Sequence, residues 1–184
     1  AVCTDILLLS RELGSEQNEI YQLDLGTGAR TPLIGVNQPA GVTESYQVQF
    51  GPTPDTFIVR TDALGEFTRV YRWQAGTFTP LTPLTNHEIS SAGIDHPRRR
   101  IYYVENQDGY RRLHALDART GADVPLPRHP TLGHADNVTL AGLSRDGQTM
   151  QVAFDGARLV PTVASYSWRT KRWTTWTLPS TPGV

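Results

Sequence analysis

One phrase of strand-forming residues recurs four times along this 184-residue chain, and that repetition constrains the fold more than any other feature. Each copy holds an apolar run, a polar turn, a second apolar run, a short turn and an apolar stop. In the first, Ile6-Leu7-Leu8-Leu9 leads through Gly14-Ser15-Glu16-Gln17-Asn18 to Ile20-Tyr21-Gln22-Leu23-Asp24, turns at Gly26-Thr27-Gly28 and closes with Thr31-Pro32-Leu33. The second runs Phe57-Ile58-Val59, Asp62 to Glu66, Val70-Tyr71-Arg72-Trp73, Ala75-Gly76 and Thr79-Pro80-Leu81. The third runs Ile101-Tyr102-Tyr103-Val104, Asn106-Gln107-Asp108-Gly109, Leu113-His114-Ala115-Leu116-Asp117, Thr120-Gly121 and Val124-Pro125-Leu126. The fourth runs Met150 to Phe154, Asp155-Gly156, Val163-Ala164-Ser165-Tyr166 and Trp173-Thr174-Thr175-Trp176.

Tyr21, Tyr71, His114 and Ala164 hold corresponding places at intervals of 43 to 50 residues. That spacing suits a four-stranded propeller blade and argues against a sandwich. Units two to four also carry an earlier strand-forming segment, at 46–50, 89–94 and 138–143, each followed by a turn rich in Pro, Gly or Asp. No helical period of useful length interrupts them. The expected fold is all-β: a β-propeller segment of about four antiparallel blades in an incomplete ring. It reads as one domain over 1–184, with units near 1–36, 41–83, 87–130 and 134–178.

The first unit begins almost at Ile6 and lacks a leading strand. An unclosed array exposes pairing edges. Three arrangements satisfy them: neighbours in a longer parent protein, closure into a small ring, or self-association of two copies through open blade edges.

A formal charge of -1 offers no positive excess to gather nucleic acid or an anionic membrane, so neither is expected as a partner. No stretch approaches the ~20 apolar residues needed to cross a bilayer, and the N-terminus lacks the pattern of a signal peptide, so a soluble chain is expected. Cys3 stands alone, so no intrachain disulfide is expected, and its place near the N-terminus argues against a nucleophile with a positioned base.

The phrasing resembles the N-terminal propeller of the prolyl oligopeptidase family of serine peptidases, with TolB-type propellers close behind. Leu143-Ser144-Arg145-Asp146-Gly147 and the stretch 113–121 match the family's Ser-Pro-Asp-Gly-like turn and its Tyr-x-x-Asp-x-x-Thr-Gly segment. Such turns record local chemistry, because Asp-Gly tolerates positive φ. More specific is the run from Trp173 to Pro182, similar to the segment leaving the last blade before the hydrolase domain in bacterial members, and Thr61 to Thr68 is similar to a blade hairpin of that branch. Departures are Phe50 to Asp55, Ile94-Asp95-His96-Pro97, and Gly183 where an acidic residue is common.

The resemblance implies a non-catalytic segment that gates and steers peptides toward a C-terminal α/β-hydrolase domain outside this chain, in a bacterial cytoplasm or periplasm. The sequence holds no Gly-x-Ser-x-Gly elbow, so catalytic residues are assigned to none of its positions. The alternative is a stand-alone TolB-type scaffold for protein binding. A small self-closing enzyme is disfavoured, because no convergent acid, base and nucleophile can be named.

Arg98, Arg99, Arg100, Arg111 and Arg112 fall on two strands of one expected hairpin, where guanidinium forks could meet a peptide carboxylate or a neighbouring domain. A solvated edge that resists unwanted pairing accounts for them as well. His129, His134 and Asp136 read as a solvated loop rather than a metal site, and no cofactor is expected. His114 takes the place of Tyr21 and Tyr71, a packing position. Trp168, Trp173 and Trp176 are expected between blades or against a following domain.

Overall fold

The computed structural model describes residues 5–39 and 41–177. Cys3 and the positions from Leu178 to Gly183 lie outside the described residues. Among the described residues the chain is all-β, with fourteen strands and a single turn of 3-10 helix at Leu132–His134. It divides into two compact units, Ala1–Asn86 and His87–Val184.

The first unit holds two antiparallel sheets. One orders β1 (Ile6–Gly14), β2 (Gln17–Asp24) and β3 (Arg30–Ile34); the other orders β4 (Tyr46–Phe50), β5 (Thr56–Thr61), β6 (Arg69–Gln74) and β7 (Thr77–Pro80). β1 runs five residues beyond the expected Ile6–Leu9, because its ladder with β2 continues past Leu9↔Tyr21 to Glu12↔Asn18. Asn18 is therefore a strand residue and not part of a turn. Phe57, Ile58 and Val59 of β5 are all buried, which explains a continuous apolar run in place of alternation. Ile20, Ile34, Tyr46, Phe57 and Val59 form this unit's core.

The second unit holds β8 (Glu88–Ile94), β9 (Arg100–Gln107), β10 (Tyr110–Asp117), β11 (Asn137–Leu143), β12 (Thr149–Gly156), β13 (Leu159–Ser167) and β14 (Arg172–Thr175). Formally these make one seven-stranded sheet, but β10 and β11 are joined by a single parallel pair, Arg111↔Asn137. Physically they are two antiparallel sheets whose ladders meet at one residue pair and whose side chains share a core. The apolar stop at Val124-Pro125-Leu126 forms no strand. Val124 N donates to Ala115 O at 2.8 Å beside the isolated bridge Leu116↔Asp123, and Pro125 and Pro127 have no N–H to continue a ladder. Tyr102, Val104 and Leu113 share a core with Met150, Val152 and Phe154.

No sheet closes on itself among the described residues, as in an incomplete propeller. Within each unit the two sheets meet in the same way. The second residue of one sheet's β2 or β10 reaches the first residue of the next sheet's β4 or β11. In the first unit Asn18 imitates a backbone partner, its Nδ2 donating to Tyr46 O at 2.9 Å while its Oδ1 accepts from Tyr46 N at 2.7 Å. In the second unit Arg111 N donates to Asn137 Oδ1 at 3.3 Å, and Arg112 Nη1 donates to Ala135 O at 3.1 Å and Asp136 O at 2.8 Å.

Turn chemistry repeats too. Gly51 N, Asp95 N and Ser144 N donate to the carbonyl five residues on, in Thr56, Arg100 and Thr149, at 2.7, 2.9 and 2.9 Å. The turns at 51–55 and 95–98, which depart from the family phrasing, thus close like Ser144-Arg145-Asp146-Gly147. At the second hairpin, Asp24 Oδ1 accepts from Thr27 N at 2.8 Å, and Asp117 Oδ1 from Thr120 N at 2.8 Å. Gly28 and Gly121 follow at φ +72° and +75°, where a Cβ would be strained.

Candidate functional site: arginines and a cavity at a sheet junction

The expected hairpin of β9 and β10 forms, but its antiparallel register separates the five arginines. Arg100 lies opposite Asp117, while Arg112 lies opposite Glu105 near the turn. Six residues of strand between Arg111 and Asp117 amount to ~20 Å. The structure therefore makes two arginine sites instead of one.

The first site is a turn-on-turn contact. Arg98 occupies the left-handed region at φ +57°. Asp95, 1% exposed, accepts at Oδ1 from Arg99 N at 2.6 Å and Arg100 N at 3.1 Å, and its Oδ2 lies 3.7 Å from Arg100 Nη1. Arg99 Nη2 donates to Asp146 O at 2.7 Å and Arg100 Nη1 to Gly147 O at 3.3 Å, tying the turn at 95–98 to the turn at 144–147. The Arg100 guanidinium also lies over the Trp168 ring, 4.3 Å from its centroid, while Trp168 Nε1 donates to Tyr102 OH at 3.1 Å. Burial raises the Tyr102 phenol above its ordinary range, with Arg100 opposing the shift. Arg99 and Arg100 are thus committed to structure.

The second site borders a cavity of about 460 Å³, within the range of small-ligand pockets. It lies where the connection after β10 folds back over β10 and β11. Leu113, Leu126, Leu132 and Val138 give it apolar walls, and Arg112 and Arg128 line it as well. His129 packs 5.0 Å from the Trp173 ring and 5.4 Å from Phe154, and its Nδ1 accepts from Thr131 N at 3.2 Å. Burial holds its imidazole below the usual histidine range.

Among the described residues no group of three His, Cys, Asp or Glu side chains gathers as a metal site. Asp136 Oδ2 instead accepts from Ala157 N at 2.6 Å. His114 stacks on Tyr103 with centroids 4.7 Å apart, and its Nε2 lies 3.4 Å from Glu105 Oε2. Of the tryptophans, Trp168 and Trp173 are partly buried and pack against the second unit's core, and Trp176 is 64% exposed, its Nε1 donating to Ser165 Oγ at 2.8 Å. Sequence reasoning missed Asn18, Asp95 and the cavity. Asp95 alone carried a usable signal, an acid at the start of a tight Pro-containing turn.

No protein-family model matches the sequence, and no curated protein does. Solved structures do match. A prolyl endopeptidase superposes with a TM-score of 0.72 at 18% identity, covering 94% of this chain and 24% of that one. Prolyl oligopeptidase B from Galerina marginata, solved with a 35mer hydrolysis and macrocyclization substrate, gives 0.71 at 12% identity, covering 93% and 25%. TolB from Acinetobacter baumannii gives 0.57 at 18%, covering 92% and 39%. The chain spans about a quarter of the prolyl peptidases' length. Likeness at these identities establishes the fold: in architecture this chain is an incomplete β-propeller, similar to the propeller portions of prolyl peptidases and to TolB.

Proposed function

We propose that residues 1–184 form consecutive blades of the propeller of a prolyl-oligopeptidase-type serine peptidase, gating and steering peptides toward an α/β-hydrolase domain carried elsewhere in the parent protein. The observation that supports this most is the fold likeness to prolyl peptidases over almost the whole chain, closer than the likeness to TolB. Side-chain staples between successive sheets, at Asn18 and at Arg99, Arg100 and Arg112, give a stiff wall. Such a wall selects by size, admitting an extended chain and refusing a folded one, without taking part in bond cleavage.

The test uses the parent protein. It is expected to cleave a short peptide and to spare the same sequence within a folded domain, and removing residues 1–184 should abolish that preference. Where removal prevents folding, the isolated chain should still bind the parent's hydrolase domain in a pull-down. An unchanged size preference, or no binding, would contradict the proposal. TolB-type scaffolding is the second reading, supported by the likeness to TolB; it expects binding to a separate protein and none to a hydrolase domain.

A further inference from the structure

The cavity under the 126–134 connection joins apolar walls to cationic groups. Its walls, Leu113, Leu126, Leu132 and Val138, are aliphatic, yet two arginines line the same space. Arg112 spends Nη1 on the carbonyls of Ala135 and Asp136, and its guanidinium lies 5.5 Å from the Tyr110 ring centroid. Its remaining N–H donors have no acceptor among the described residues, and the Arg128 guanidinium has none either. Neither arginine has a carboxylate partner there. Two uncompensated guanidinium groups beside an apolar cavity complement a ligand that joins an aliphatic or aromatic group to a carboxylate.

The geometry points to a site for the C-terminal residue of a peptide, with its apolar side chain in the cavity and its free carboxylate on Arg112 and Arg128. A carboxylate is planar and bidentate, as the guanidinium fork requires, and in a C-terminal residue it lies beside the side chain. This inference rests on the reading of the chain as a peptide-handling propeller segment and gives that reading a defined contact.

The experiment titrates the 184-residue chain with acetyl-Gly-Gly-Leu as the free acid and as the C-terminal amide, by calorimetry and by methyl NMR. The acid is expected to bind about tenfold more tightly than the amide, the margin of one charge-assisted hydrogen-bond pair. Methyl signals of Leu113, Leu126, Leu132 and Val138 should shift together. Arg128→Gln, at an exposed position, should cut the acid's advantage severalfold with the melting temperature unchanged. Equal binding of acid and amide, or shifts confined to other residues, would overturn the proposal. Octanoate binding as tightly as the peptide acid would assign the cavity to fatty acids and overturn it too. Failure here leaves the size preference of the parent intact, and failure of that preference leaves this titration unaffected, so the two are separable.

Discussion

Gly147→Ala tests the turn-on-turn contact in a way that separates packing from backbone strain. Gly147 has φ +66°, and a Cβ there would lie 2.6 Å from Pro97 Cγ and 2.9 Å from Asp95 Oδ2. Holding alanine in the left-handed region costs about 1 kcal/mol. Driving its methyl into Pro97 and the buried Asp95 adds overpacking of about 1–3 kcal/mol. The expected loss is therefore about 2–4 kcal/mol. Gly28, at φ +72° with nothing within 4 Å of its would-be Cβ, meets only the first cost. Gly28→Ala should lose about 1 kcal/mol. Urea unfolding followed by tryptophan fluorescence and circular dichroism measures both. Pro97→Ala removes the nearest clashing atom, so a double-mutant cycle with Gly147→Ala should show a coupling of at least about 1 kcal/mol. Equal losses for the two glycine variants, together with an additive cycle, would refute the reasoning.

Three other outcomes follow from the same geometry. Phe154, 1% exposed in the second unit's core, should cost about 3–5 kcal/mol when cut to alanine, read from the urea midpoint. Thr27 and Thr120 backbone N–H groups hold Asp24 and Asp117 below the ordinary carboxylate range, and the Ser144 hydroxyl does so for Asp146. Depressed carboxyls stabilise the fold fully above the unfolded value of 3.8 and lose that contribution as pH falls through their folded values, so the melting temperature should drop below about pH 4, and less steeply in Asp117→Asn. Burial, then Glu105 and Asp123, push the Tyr103 phenol up to about 12; this contribution is complete below pH 10 and drains as pH rises through 12, so Tyr103→Phe should flatten the alkaline limb of the melting curve.

What the sequence disclosed was what short-range chemistry writes. Asp24 with Gly28 and Asp117 with Gly121 close their own turns, so the repeat was readable from a few neighbouring residues. Phe57 to Val59 of β5 and Ile101 to Val104 of β9 announce themselves as unbroken apolar runs because both faces are covered. What it concealed depends on register and on partners distant along the chain. Arg100 and Arg112 share a hairpin yet lie at opposite ends, since pairing through the Asp108-Gly109 turn sets Arg100 against Asp117. Asn18 looks like a turn residue, and its use becomes visible only when Tyr46, 28 residues on, is placed beside it. The apolar stop Val124 to Leu126 forms no strand, because Pro125 and Pro127 lack N–H donors and, among the described residues, Val124 N alone bonds back to Ala115 O. The cavity exists because the 126–134 connection folds over β10 and β11, a contact with no local signature.

Nuclear Overhauser contacts in the isotopically labelled chain test the blade arrangement most directly. The account predicts contacts between the Asn18 side-chain amide and the Tyr46 backbone amide, and between Arg111 and Asn137, alongside intact ladders in every sheet. Well-formed sheets in which both junction contacts are missing would contradict it.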